Sequence, residues 1–180
     1  GTVEAPSSKS IGHRDLICAA LAEGESMVDN ISLSQDIEAT CQILRTLGAS
    51  ITPVNSPHPG RAAYLVRGGL KKQNGTLNVS ANESGSTLRF LIPVAIFSGN
   101  TVIFSGKGRL ASRPLTPYYR LFDEKHIAYE TTGGALPLTV SGVFRAGTYS
   151  LAGDVSSQFF TGLLMTLPLL DGDSYLTSTT

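Results

Sequence analysis

Four short stretches of this chain hold residues of the kind that bind anions. The first, Ser8-Lys9-Ser10-Ile11-Gly12-His13-Arg14, sets a lysine, a hydroxyl and an arginine within about one turn of a helix. Lysine offers a phosphate a point charge, and arginine a bidentate fork. The second, Ser84-Gly85-Ser86-Thr87, and the third, Ser156-Ser157-Gln158, supply neutral donors and no charge. The fourth, Arg109-Leu110-Ala111-Ser112-Arg113-Pro114, adds arginines just ahead of another helix. The first three open helices, where N–H groups lack carbonyl partners and the helix dipole is positive. Such an end attracts phosphate and carboxylate. Blander roles fit the same residues: Ser10, Ser84 and Ser156 as N-caps, Lys9 and Arg14 as solvated charges, and Arg89, inside an apolar helix, as half of a structural ion pair. His13, His58 and His126 read as surface or turn residues. The histidines and cysteines follow no metal-ligand spacing, and neither a Ser/His/Asp signature nor a P-loop is present.

The elements that must position these stretches recur. Gly1-Thr2, Gly75-Thr76 and Gly147-Thr148 each open a similar unit, with Ser10, Ser84 and Ser156 nine residues on. An apolar helical run follows each time, closed by Gly24, Gly99 or Gly172. This is an internal repeat, with units 1–74, 75–146 and 147–180. Its third copy is expected to be truncated and to need about 40 more residues. Within unit one, strands are expected at 2–5, 27–31, 51–54 and 64–66, and helices at about 11–22 and at 37–47, the latter capped by Asp36. Ile11, Leu16, Ala19 and Ala20 should share overlapping faces of the first helix. Unit two repeats the order, with strands at 76–79, 101–104, 127–130 and 138–140 and helices at 84–97 and 115–124, the latter with Pro114 suited to its first turn. The order is β-α-β-α-β-β twice, then β-α-β. The first helices of units two and three are apolar nearly all round, which predicts burial on every side. Pro93 and Pro168 should bend or end them. The expected architecture is therefore α/β with central helices and sheets outside, and a threefold relation of the repeats would bring three helix starts to one patch.

Formal charge is balanced over 180 residues, which gives no reason to expect nucleic acid or an acidic membrane as a partner. No stretch reads as a signal peptide or a bilayer span. Cys18 and Cys41 read as buried free thiols of a reducing, cytoplasmic compartment.

Pro6-Ser7-Ser8-Lys9-Ser10-Ile11-Gly12-His13-Arg14, Glu83-Ser84-Gly85-Ser86-Thr87-Leu88-Arg89, the stretch 109–114 and Gly153-Asp154-Val155-Ser156-Ser157-Gln158-Phe159 together resemble the 5-enolpyruvylshikimate-3-phosphate synthase family, in order and over essentially the whole chain. The resemblance implies a fold of two similar domains, each of three βαβαββ units with helices inside (an inside-out α/β barrel), and a chain holding one incomplete domain without the second. It implies transfer of the enolpyruvyl group of phosphoenolpyruvate to the 5-hydroxyl of shikimate 3-phosphate, with release of phosphate, in chorismate and aromatic amino-acid synthesis. The family is the target of glyphosate, and no cofactor or metal is implied. By motif, Lys9 would contact both substrates and take part in catalysis. Ser10, Arg14, Ser156, Ser157 and Gln158 would hold shikimate 3-phosphate, while Gly85 and Arg113 would face phosphoenolpyruvate, with Gln158 near both. The acid–base carboxylates would lie in the absent domain, leaving this chain an inactive half-site. One departure is Glu83, where the family often has Asn; its carboxylate should turn to a cation or to solvent. The sister enzyme, UDP-N-acetylglucosamine enolpyruvyl transferase, would need a cysteine where this chain has Gly108. A non-catalytic phosphate-binding module is the reading from another class.

Overall fold

The helix Gly85–Phe97 runs through the middle of the molecule, buried from Leu88 to Ile96 except at Arg89. Eight of its thirteen residues are large and apolar or Pro, so no polar face is left to turn to solvent. The computed structural model describes residues 1–3 and 5–179. In chain order the elements are α1 (Lys9–Leu21), β1 (Glu25–Ile31), α2 (Gln35–Thr46), β2 (Ser50–Val54), β3 (Ala62–Arg67), β4 (Thr76–Ser80), α3 (Gly85–Phe97), β5 (Thr101–Ser105), α4 (Thr116–Lys125), β6 (Ala128–Thr132), β7 (Ala135–Ser141), β8 (Thr148–Ala152), α5 (Ser157–Thr166) and β9 (Tyr175–Thr179). Short 3-10 turns lie at Gly108–Leu110 and Leu167–Leu169.

The strands form three sheets, ordered β1-β3-β2, β4-β5-β7-β6 and β8-β9. β4 and β5 are parallel, with Thr76 opposite Thr101, and α3 makes the crossover between them. β8 and β9 are parallel in the same way around α5, with Thr148 opposite Tyr175. The remaining pairings are antiparallel. Sheet faces alternate: in β5, Val102 and Phe104 turn into the core while Ser105 stays outside. Each fully buried Phe, Leu or Ile contributes about 1.5–3 kcal/mol by leaving water. The chain is thus a mixed α/β fold with sheets on the outside of central helices.

Several expectations need correction. Thr2, Val3 and Ala5 lie in no strand, and Glu4 is outside the described residues. α1 starts two residues earlier than expected because Ser8, not Ser10, caps it: Ser8 Oγ accepts from the Ile11 N–H at 3.3 Å. Ile11 is 58% exposed and does not share the face of Leu16, Ala19 and Ala20, which are buried. α2 is capped by Ser34, which leaves Asp36 in the first turn, free for another partner. Pro117, not Pro114, occupies the first turn of α4. Cys41 is buried, but Cys18 is exposed.

Pro93 neither ends α3 nor leaves its ladder open. A helical proline lacks the N–H that would reach the carbonyl four residues back, here that of Arg89. That carbonyl instead accepts from the buried Tyr118 hydroxyl at 2.6 Å. The same hydroxyl lies 3.1 Å from Phe159 O, so its one hydrogen is shared between carbonyls of α3 and α5. Gly162 makes the closeness possible: a Cβ there would stand 2.6 Å from both the Arg89 carbonyl oxygen and the Tyr118 hydroxyl. Pro168 lies in the 3-10 turn after α5. α5 is less enclosed than expected, with Leu164 60% exposed.

Candidate functional site

The starts of α1, α3 and α5 are tied to one another by side chains. Arg14 of α1 donates to Thr161 of α5 at 3.4 Å, and its guanidinium lies 5.0 Å from the centre of the Phe90 ring in α3. Arg89 of α3 donates to Gln158 Oε1 of α5 at 2.7 Å. Gln158 Nε2 donates back to Ser86 Oγ of α3 at 2.8 Å. The three caps are built alike. The hydroxyls of Ser8, Ser84 and Ser156 accept from Ile11, Thr87 and Gln158 N–H groups. The N–H groups of the first helical residues, Lys9 and Ser10, Gly85 and Ser86, and Ser157, have no carbonyl a turn earlier to meet. The side-chain contacts between α1, α3 and α5 hold these positive ends near one another.

Positive charge is concentrated there as well. Arg113 follows the Gly108–Leu110 turn and reaches α3: its Nη1 stands 3.2 Å, and Arg89 Nη1 3.0 Å, from where a Cβ on Gly85 would sit. Burial, and secondarily the neighbouring Arg113, pull the Arg89 guanidinium below its ordinary pKa. Arg89 forms no ion pair among the described residues, so the structural-pair reading gives way to a bond with Gln158. Like charges side by side with no carboxylate between them favour an anion in the gap. Glu83 is exposed and leans over Gly108, where a Cβ would lie 2.5 Å from Oε1. Among the described residues its carboxylate pairs with no cation. Gly108 itself has φ +55°, so a cysteine at that position would be strained and would strike Glu83.

Under these helix starts runs a buried polar chain. His13 is 1% exposed, against the expectation of a surface residue; His58 and His126 do lie in exposed turns. His13 Nδ1 meets Thr40 Oγ1 at 2.8 Å, and Thr40 meets Thr87 Oγ1 at 2.8 Å. Thr87 donates to Asp36 O or to Ser84 Oγ. Its one proton is spent there, so Thr40 donates to Thr87 and His13 donates from Nδ1. His13 Nε2 is then a buried acceptor without a partner. Burial holds the His13 pKa down to about 4, with Lys9 and Arg14 adding to the effect and Asp36 opposing it. Ser84 and Thr87 are thereby withdrawn from solvent. Ser86, Gly85 and the N–H groups remain at the surface.

Of the residues expected to bind substrate, these contacts bring together Arg14, Gly85, Arg113 and Gln158, and Ser156 and Ser157 stand beside Gln158 at the start of α5. Lys9 is engaged by Asp36 of α2 at 2.6 Å, an exposed pair that a ligand could displace at little cost. Ser10 is exposed, and its carbonyl accepts from Arg14 at 2.8 Å. Asp36 and Thr161 are participants that the sequence does not signal, and Arg89 takes the neutral Gln158 as partner in place of the expected ion-pair acid. Arg89 and Gln158 are 69 residues apart, and nothing local to either signals the bond. These residues form an open face. A cleft of about 550 Å³ between α4 and β8, lined in part by Arg120, Glu124 and Asp154, contains none of them. Among the described residues, no three His, Cys, Asp or Glu side chains are grouped to hold a metal. No helix among those residues is long and apolar enough to cross a membrane.

Comparison with known proteins gives a consistent result. The profile of the family described as EPSP synthase (3-phosphoshikimate 1-carboxyvinyltransferase) matches residues 1–180. The 3-phosphoshikimate 1-carboxyvinyltransferase of Clostridium kluyveri is 47% identical over 180 residues, covering all of this chain and 41% of that protein. Its counterpart from Clostridium acetobutylicum is 44% identical over 181 residues, covering 42% of its length. Among solved structures, EPSP synthase from Acinetobacter baumannii superposes with a TM-score of 0.81 at 25% identity, over all of this chain and 40% of that one. The chain thus spans about 41% of the length of the relatives it matches.

Proposed function

This chain belongs to the EPSP synthase family, and on that premise we propose that it carries one substrate-binding half of a 3-phosphoshikimate 1-carboxyvinyltransferase. The reaction moves the enolpyruvyl group of phosphoenolpyruvate onto the 5-hydroxyl of shikimate 3-phosphate and releases phosphate, without a cofactor, in the cytoplasmic synthesis of chorismate. The observation that carries this reading is the convergence of three helix starts on one face, with Arg14, Arg89 and Arg113 there and no carboxylate paired to them among the described residues. Two phosphates and a carboxylate need that excess of donors.

Lys9, Ser10, Arg14, Ser156, Ser157 and Gln158 hold shikimate 3-phosphate. Arg113, with the N–H of Gly85 and the amide of Gln158, faces phosphoenolpyruvate, and Lys9 reaches both once it leaves Asp36. The Ser156 hydroxyl can serve as cap and as ligand contact together, because its oxygen accepts from Gln158 N–H while its hydrogen is free to donate. Fixed donors lower the barrier of an addition–elimination by meeting charge as it develops. The general acid and base come from the further length of the relatives, and the segments 1–74, 75–146 and 147–180 act as repeated units of one domain. The test is an assay of the full-length chain carrying this sequence. Phosphate release should require both phosphoenolpyruvate and shikimate 3-phosphate. Release with UDP-N-acetylglucosamine in place of shikimate 3-phosphate would overturn the assignment, as would binding of both substrates without turnover.

A further inference from the structure

The amide of Gln158 can present either of two ends to a ligand, and only one suits an anion. Nε2 carries two donors; Oε1 carries only lone pairs, which an anion repels. Arg89 decides between them. Its Nη1 stands 2.7 Å from the Gln158 amide, and a guanidinium donates but never accepts, so the oxygen must face Arg89. Nε2 is then turned to Ser86 and gives one hydrogen to its Oγ at 2.8 Å. The second Nε2 hydrogen and the Ser86 hydroxyl hydrogen are left for a ligand. Arg89 is itself held fast. Its guanidinium lies 5.1 Å from the Phe159 ring centre and its carbonyl accepts from buried Tyr118, while its buried Nε has no hydrogen-bond partner among the described residues. The space served is the one over Gly85, which Arg113 also approaches.

We infer that Arg89 is a positioning residue that fixes the polarity of the Gln158 amide, so that Gln158 and Ser86 offer only donors to an anion bound over Gly85. The inference rests on the function proposed above and adds a residue that acts through another. Without Arg89 the amide rotates about its last torsion, and its oxygen meets the anion for part of the time.

The test is a double-mutant cycle in the full-length chain, with Arg89→Met and Gln158→Met made singly and together. Each single variant should raise KM for phosphoenolpyruvate about tenfold, the scale of one lost charge-assisted hydrogen bond. The double variant should be no worse than about twofold beyond either, because both changes remove one device. Arg89→Lys, another donor-only cation, should restore most of the affinity. Losses that multiply, or an Arg89→Met variant that melts earlier while keeping its KM, would overturn the inference. If Arg89→Met does not fold, the same cycle is run with Arg89→Gln, whose neutral amide can meet Gln158 with either end and so fixes no polarity. An unsubstituted enzyme without turnover removes the proposed function, and the cycle is then read by titrating inorganic phosphate against the Gln158 side-chain NH2 resonances. Shifts there in the unsubstituted chain that vanish in Arg89→Met support the inference; shifts equal in both overturn it.

Discussion

Lowering the pH should destabilise this fold through one residue, His13. In the unfolded chain its imidazole titrates near 6.5, and in the fold burial holds it to about 4. The reason is geometric: Nδ1–H is used on Thr40, and a proton added at Nε2 would have no acceptor. Below 6.5 the unfolded state takes up a proton that the native state refuses, so stability falls as pH falls. The loss runs from about 6.5 down to about 4 and then levels off. At about 1.4 kcal/mol per pH unit the full loss is about 3 kcal/mol, a large share of a domain stability of about 5–15 kcal/mol. Asp29, held below its ordinary pKa by Ser56, adds its own loss only below about 3.8, outside that window. Urea unfolding at intervals between pH 7.5 and 4.5 measures the slope. His13→Gln keeps an amide for Thr40 and cannot titrate, so its stability should be nearly flat over the same range. Equal slopes for the two proteins would refute the reasoning.

Three further outcomes are expected. Arg113→Lys in the full-length enzyme should raise KM for phosphoenolpyruvate roughly ten- to hundredfold, more than that for shikimate 3-phosphate, because a point charge cannot replace a fork; steady-state kinetics checks the order of the two effects. Gly162→Ala should cost about 1–3 kcal/mol, since its Cβ would fall 2.6 Å from the Arg89 carbonyl oxygen; an unchanged thermal midpoint would contradict the close α3–α5 packing. Ser156→Ala should lose about 0.5–2 kcal/mol of stability with its cap and weaken shikimate 3-phosphate binding too, whereas exposed Ser157→Ala should weaken binding alone. Calorimetric titration beside a melt separates the two.

The sequence told most about features whose cause is local. The apolar runs of α3 and α5, the strand pairs β2–β3 and β6–β7, and the helix ends at Gly48 and Gly99 follow from periodicity and turn residues. Choosing among adjacent candidates for a cap was harder. Ser8 and Ser10 both suit the role, and so do Ser34 and Asp36; tertiary packing picked the earlier one each time. The sequence hides the burial of His13 because Lys9, Ser10 and Arg14 surround it there, whereas in the fold it turns under them to Thr40. Arg89 was half legible: its place in an apolar helix signalled a partner, but Gln158 lies 69 residues away and is neutral. Tyr118 as the acceptor's replacement donor opposite Pro93 could not be read at all, because it depends on how α4 crosses α3.

Whether three helix starts form one preorganised anion site is measured most directly by a shikimate 3-phosphate titration of the isotope-labelled 180-residue chain, followed by its amide resonances. With the half-site open to solvent, affinity should be roughly millimolar, near −4 kcal/mol. Shifts should concentrate at residues 9–14 and 156–158 and saturate together. A well-dispersed spectrum that does not move at millimolar ligand, or shifts confined to the cleft beside Arg120 and Asp154, would contradict the account.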